Sequence, residues 1–131
     1  MKKYRKNHKE RIKIKAKQYY STPPGIYNIM IFGAKQRNLE CNIAREDFLN
    51  WYTNQEQKCY YCQRILEKIK QDTFGHNSRL TIDRIDNNKG YELNNIKLAC
   101  FRCNSIKSDY FTESEMLKIG KIIKNKEMEI T

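Results

Sequence analysis

The sequence predicts an α+β fold, a small unit of two strands and a helix stapled by four cysteines and flanked by helices. Two Cys-x-x-Cys pairs, Cys59/Cys62 and Cys100/Cys103, enclose short segments that alternate apolar and polar residues as half-buried strands do. Helical periodicity lies on either side of them. At 131 residues the chain has room for one compact domain, small enough that a metal staple would add materially to its core.

The elements follow in order. Residues 1–21 read as a basic arm, with Lys2, Lys3, Arg5, Lys6, Lys9, Arg11, Lys13, Lys15 and Lys17 against Glu10 alone. Nine cations and one anion give residues 1–17 a charge of +8, most of the +11 carried by the whole chain. Such a run is either a solvated tail or a phosphate-binding element. Ser21-Thr22-Pro23-Pro24-Gly25 reads as a linker, and the domain is expected to occupy residues 22–131. Ile26, Ile29, Met30 and Gly33 then recur at helical spacing up to about Asn38. Phe48, Trp51 and Tyr52 form an i, i+3, i+4 stripe that predicts a core-facing helix over about 45–55.

Past Cys59 the pattern changes. Leu80 to Ile85 alternates as a strand, Asp86-Asn87-Asn88-Lys89-Gly90 is a turn cluster, and Ile96 to Ala99 alternates again. Residues 101–108 can turn helical, and Thr112 with Glu115 makes a capping box for a last helix carrying Met116, Ile119 and Ile123.

A two-residue knuckle lets both thiolates of a Cys-x-x-Cys pair reach one ion, so Cys59, Cys62, Cys100 and Cys103 are expected to hold a structural Zn²⁺. The 37 residues between the pairs exceed the usual ribbon spacing, and iron–sulfur ligation is the alternative for four soft thiolates. Cys41 has no partner at knuckle spacing and reads as a small buried residue. No apolar run is long enough to span a bilayer and no signal peptide is evident, so a cytosolic location with reduced cysteines is expected. The net charge favours a polyanion, nucleic acid first.

Between the cysteine pairs run Asp83-Arg84-Ile85-Asp86, Gly90-Tyr91, Asn95-Ile96 and then Cys100-Phe101-Arg102-Cys103-Asn104 with Lys107. In this order the chain resembles the HNH, or ββα-metal, endonuclease superfamily, and within it the PacI-like rare-cutting restriction endonucleases. The resemblance covers roughly residues 42–123 and includes Phe48-Leu49-x-Trp51-Tyr52 and Glu115-Met116. It places the ββα-metal core at about 80–108. It implies that Asp83 is a carboxylate ligand of a catalytic Mg²⁺ or Mn²⁺, that Asn104 supplies a second ligand, and that Asn95 braces the loop between the strands. It also implies phosphate contacts for Arg102 and Lys107, beside those expected of Lys2, Lys3, Arg5 and Lys6 in the arm. The partner would be double-stranded DNA, and cutting both strands of a palindrome would most simply need a homodimer.

Arg84 stands where the superfamily has its general-base histidine. A guanidinium stays protonated and cannot take a proton from water, and the resemblance to the PacI-like enzymes implies that Arg84 instead clamps the scissile phosphate bidentately. Water activation would fall to His76, Tyr61, Tyr91 or His8, or to the metal ion alone. Asp and Asn also make turns and caps readily, and it is the order of the whole motif that favours a nuclease. The rival is a non-catalytic zinc-dependent DNA-binding module in which Arg84 marks loss of the base. The N-terminal segment lacks the additional cysteine cluster of the PacI-like enzymes.

Overall fold

The computed structural model describes residues 2–74 and 78–130, with side chains described over 7–74 and 78–127. Among the described residues six helices and one antiparallel hairpin succeed one another: α1 (Lys2–Tyr19), α2 (Pro23–Gln36), α3 (Arg45–Thr53), the single turn α4 (Leu66–Ile69), β1 (Thr81–Arg84), β2 (Ile96–Ala99), α5 (Phe101–Lys107) and α6 (Glu113–Ile130). A 3-10 turn at Leu93–Asn95 leads into β2. The α+β expectation holds, with the strand, strand, helix order in place.

The basic arm is a helix. Its described side chains are exposed apart from the half-buried Ala16, so α1 presents Lys9, Lys13, Lys15 and Lys17 to solvent, along with Ile12 and Ile14. The expected linker shrinks to residues 20–22. Pro23 and Pro24 occupy the first turn of α2, where proline forfeits no hydrogen bond, and Thr22 caps it by accepting from the Gly25 amide at 3.3 Å. A Cβ at Gly25 would stand 2.1 Å from the Tyr19 carbonyl oxygen, so the close approach of α1 to α2 requires glycine there.

Two apolar clusters form the core. In the first, Ile26, Tyr27, Met30 and Ala34 of α2 meet Phe48 of α3 together with Ile43, Tyr91 and Ile96. Tyr27 satisfies its buried hydroxyl by donating to the Ile43 carbonyl at 2.7 Å. The second gathers Tyr61, Ile69, Leu80, Leu98 and Met116 around the four paired cysteines. Helix α6 closes this cluster. Its start is the expected capping box, with the Glu115 amide donating to Thr112 Oγ1 at 3.2 Å and the Thr112 amide to Glu115 Oε1 at 3.0 Å. A Cβ at Gly120 would lie 2.1 Å from the Tyr61 carbonyl oxygen, so α6 rests its backbone directly on the first cysteine knuckle.

The hairpin pairs Thr81 with Ala99, Ile82 with Leu98, Asp83 with Lys97 and Arg84 with Ile96. Among the described residues no helix is long and apolar enough to cross a membrane.

Candidate metal sites and the arginine-edged cleft

The four cysteines come together as their spacing requires. One sulfur from each of Cys59, Cys62, Cys100 and Cys103 lies within 4.8 Å of all the others, and all four residues are buried. Tetrahedral ligation at about 2.3 Å from zinc sets sulfurs roughly 3.8 Å apart, and Cys62 Sγ stands 3.9 Å from Cys100 Sγ. The donor set thus fits a zinc ion. Gln63 takes a left-handed backbone, φ 60°, to turn the first knuckle. Cys100 begins α5 and accepts the Cys103 amide at 3.4 Å.

Four thiolates around a divalent ion leave a charge of −2, and the fold answers it with a buried guanidinium. Arg64 donates through Nε to Cys62 Sγ at 3.2 Å and through NH2 to Cys100 Sγ at 3.5 Å. Its NH1 reaches Asp72 Oδ2 at 3.1 Å. Asp72 is in turn gripped by Arg102, at 2.7 Å from Nε and 2.6 Å from NH2, and the Arg102 hydrogen bonds, chiefly, hold its carboxyl well below the ordinary range. Arg102, whose side chain is 33% exposed, thus commits Nε and NH2 of its guanidinium to Asp72. Sequence reasoning missed Arg64 and Asp72; an arginine two residues past a knuckle was the available signal, since metal ligands recruit hydrogen-bonding partners of opposite charge.

Beside the hairpin is a cleft of about 620 Å³, lined among others by Arg37, Arg79, Asp83, Arg84, Tyr91 and Asn104. Strand β1 carries Asp83 and Arg84, and the first turns of α5 carry Asn104, so the ββα unit brings Asp83 and Asn104 to one wall. Asp83 is 5% exposed. Its carboxylate accepts a hydrogen bond from the Tyr61 hydroxyl and stands 3.6 Å from Lys107 Nζ. Burial pushes the Asp83 carboxyl up, against the opposing pull of Tyr61, Lys107 and Arg84. Burial, then the Asp83 hydrogen bond, drives the Tyr61 phenol far above its ordinary value, so Tyr61 stays a donor. Asn104 gives Nδ2 to Thr81 Oγ1 at 3.0 Å, which leaves Oδ1 as its acceptor.

Asn95 sits where a brace should. It is buried, accepts the Asp86 amide at 2.9 Å, and donates to the carbonyls of Gly90 at 2.9 Å and Asp86 at 3.2 Å. Arg84 is tethered by NH1 to the carbonyls of Asn87 at 3.0 Å and Lys89 at 2.7 Å. Lys107 departs from expectation: its residue is 0% exposed, and its ammonium donates at 2.8 Å to the Arg84 carbonyl and at 2.8 Å to Asn87 Oδ1. An ammonium spent on internal acceptors beside Asp83 has no path to a phosphate. Tyr91 lines the cleft, whereas His8 lies on exposed α1, away from the cleft lining. His76 and the side chains of Lys2, Lys3, Arg5 and Lys6 lie outside the described residues.

No protein-family model matches the chain. Among solved structures, the chain is similar to the rare-cutting HNH restriction endonuclease PacI, whose structure describes a mechanism of DNA perturbation. The two share 30% identity with a TM-score of 0.68, over 76% of this chain and 75% of that one. Among curated proteins, an uncharacterised protein of Acanthamoeba polyphaga mimivirus is 35% identical over 81 residues, 62% of this chain and 13% of that protein. The chain therefore spans a small part of that viral relative.

Proposed function

The chain belongs to the HNH endonuclease family, and we propose that within it the protein is a metal-dependent nuclease that hydrolyses phosphodiester bonds of double-stranded DNA. The observation that carries this reading is the cleft wall on which a buried carboxylate, Asp83, and the amide of Asn104 stand together beside an arginine. One carboxylate and one amide oxygen suit Mg²⁺ or Mn²⁺, which retain waters and take phosphate oxygens to fill their shell. When bound, such an ion would stabilise charge on the scissile phosphate and its leaving oxygen and lower the pKa of a coordinated water.

The protein's own residues prepare that site. Lys107 balances the buried Asp83 charge at 3.6 Å, and Tyr61 fixes the carboxylate by donating to it. Arg84, held by two backbone carbonyls, is set to clamp the phosphate bidentately, and a water must be activated by something other than this guanidinium. Asn95 keeps the 86–90 loop, and so Arg84, in place. The four cysteines would hold structural zinc, tying the first knuckle to the strand-and-helix unit. Helix α1 would supply Lys2, Lys3, Arg5, Lys6 and its remaining cations to the DNA backbone. Two copies would serve the two strands of a palindrome.

Arg84 in the place of a base is the observation that favours a second reading, a zinc-stabilised DNA-binding module without catalysis. Incubating the zinc-loaded protein with mixed duplex DNA and Mg²⁺ or Mn²⁺, then sequencing the ends, separates the two. Defined ends that depend on the added ion support the nuclease; duplex that is bound but intact with either ion would leave only the binder.

A further inference from the structure

Among the described residues three guanidiniums, those of Arg37, Arg79 and Arg84, edge the cleft, and the nuclease reading uses only Arg84. Arg37 comes from a different part of the fold. It caps the C-terminus of α2, is exposed, and reaches across by donating NH2 to the Tyr91 hydroxyl. Its Nε is anchored to the Gly33 carbonyl at 3.2 Å. Its guanidinium carbon stands 5.8 Å from the centre of the Tyr91 ring, and that of Arg84 stands 5.7 Å from the same centre. Two cations are thus gathered on one ring, no more than 11.5 Å apart by the sum of those distances.

The ring between them is fixed. Tyr91 is 5% exposed, its amide donates to the Glu40 carbonyl at 2.8 Å, and its carbonyl accepts the Asn42 amide at 3.0 Å. Tyr91 therefore ties the segment after α2 to the loop that positions Arg84, and it sets Arg37 relative to the cleft wall. Among the described residues neither Arg37 nor Arg84 makes an ion pair, although Asp83 and Asp109 also line the cleft. Two guanidiniums outside any ion pair raise the positive potential at this edge of the cleft, and an anion between or beside them would be drawn there. Guanidinium forks match phosphate oxygens. Along one DNA strand successive phosphates advance about 3.4 Å per nucleotide along the axis, so two such cations can serve neighbouring phosphates of one strand.

We propose that Arg37, positioned by Tyr91, binds a DNA phosphate flanking the one that Arg84 clamps, so that α2 forms the second wall of the substrate cleft. This rests on the nuclease reading and assigns the reading's backbone contact to a residue outside the ββα unit. The test is binding of a labelled duplex by fluorescence anisotropy, without added Mg²⁺ or Mn²⁺, at several salt concentrations between 50 and 200 mM. Neutralising one phosphate contact lowers the slope of log affinity on log salt by about 0.9. Arg37→Gln should lose about that much slope and bind more weakly, Arg37→Lys should keep the wild-type slope, and both should melt with the wild type, because the side chain is exposed. Under cleavage conditions Arg37→Gln should raise KM more than it lowers kcat. A wild-type slope in folded Arg37→Gln overturns the inference while leaving the nuclease reading intact. Wild-type protein that binds no duplex would overturn both.

Discussion

Replacing Lys107 with methionine tests whether the cleft wall is built on a buried charge pair. Methionine keeps the length and apolar stem but removes the ammonium. The ammonium's 3.6 Å separation from Asp83 corresponds to an attraction of roughly 4–5 kcal/mol at an effective permittivity near 20, before desolvation is counted. Removing one member of a buried pair leaves the other charge uncompensated and typically costs about 3–5 kcal/mol. The Arg84 carbonyl and Asn87 Oδ1, each now 2.8 Å from Nζ, would lose their donor as part of the same change. A domain of this size is stable by about 5–15 kcal/mol, so Lys107→Met should lower the thermal midpoint by on the order of 10–15 °C. Urea denaturation of the zinc-loaded protein, followed by circular dichroism, measures this as a lower midpoint at unchanged slope. A loss below about 1 kcal/mol, accompanied by weaker DNA binding, would refute the reasoning, because it is what an exposed phosphate-contacting lysine would give.

Three further outcomes are expected. Cys59→Ser, or a strong chelator applied to the wild type, should release one metal ion per chain and unfold the segment from the first knuckle to α6, since structural zinc is worth about 10–16 kcal/mol in small peptides; metal analysis with circular dichroism checks it, and a native spectrum after metal loss would contradict it. Asp72→Ala frees Arg64 and Arg102 from their shared carboxylate, and zinc affinity should fall about 10–100-fold, measured by competition with a chromogenic chelator, with no change if the Arg64 contacts to sulfur are incidental. Deleting residues 1–17 should flatten the salt dependence of duplex affinity by several units, as each lost phosphate contact removes about 0.9; an unchanged slope would mean that α1 does not touch DNA.

Local patterns made much of the fold legible. The i, i+3, i+4 stripe at Phe48, the alternation on both sides of the 86–90 turn and the Thr112–Glu115 box each depend on residues close in sequence, and each is found where the pattern puts it. The proline pair misled because proline breaks a helix interior but suits a first turn, and only the Thr22 cap distinguishes the two. The short helix α4 has too few residues for periodicity to register. At the site, the Cys-x-x-Cys spacing announced the buried four-cysteine cluster because knuckle geometry is local. The pairing of Arg102 and the burial of Lys107 were not legible, because they depend on Asp72, 30 residues away in sequence, and on the loop carbonyls that α5 packs against. For the same reason nothing adjacent to Arg37 announced it; its partner Tyr91 is 54 residues distant.

The central claim is that Asp83 serves a cut and not a cap. Wild type and Asp83→Ala should be compared on the same duplex, zinc-loaded, with Mg²⁺ or Mn²⁺, by following strand cleavage beside binding and melting. Asp83→Ala should still fold, melting lower because Lys107 loses its buried partner, and should bind the duplex with most of its affinity while cleavage falls to background. Cleavage at the wild-type rate in Asp83→Ala would contradict it, and so would a variant that loses its fold along with its activity, the behaviour of a carboxylate that only holds the loop together.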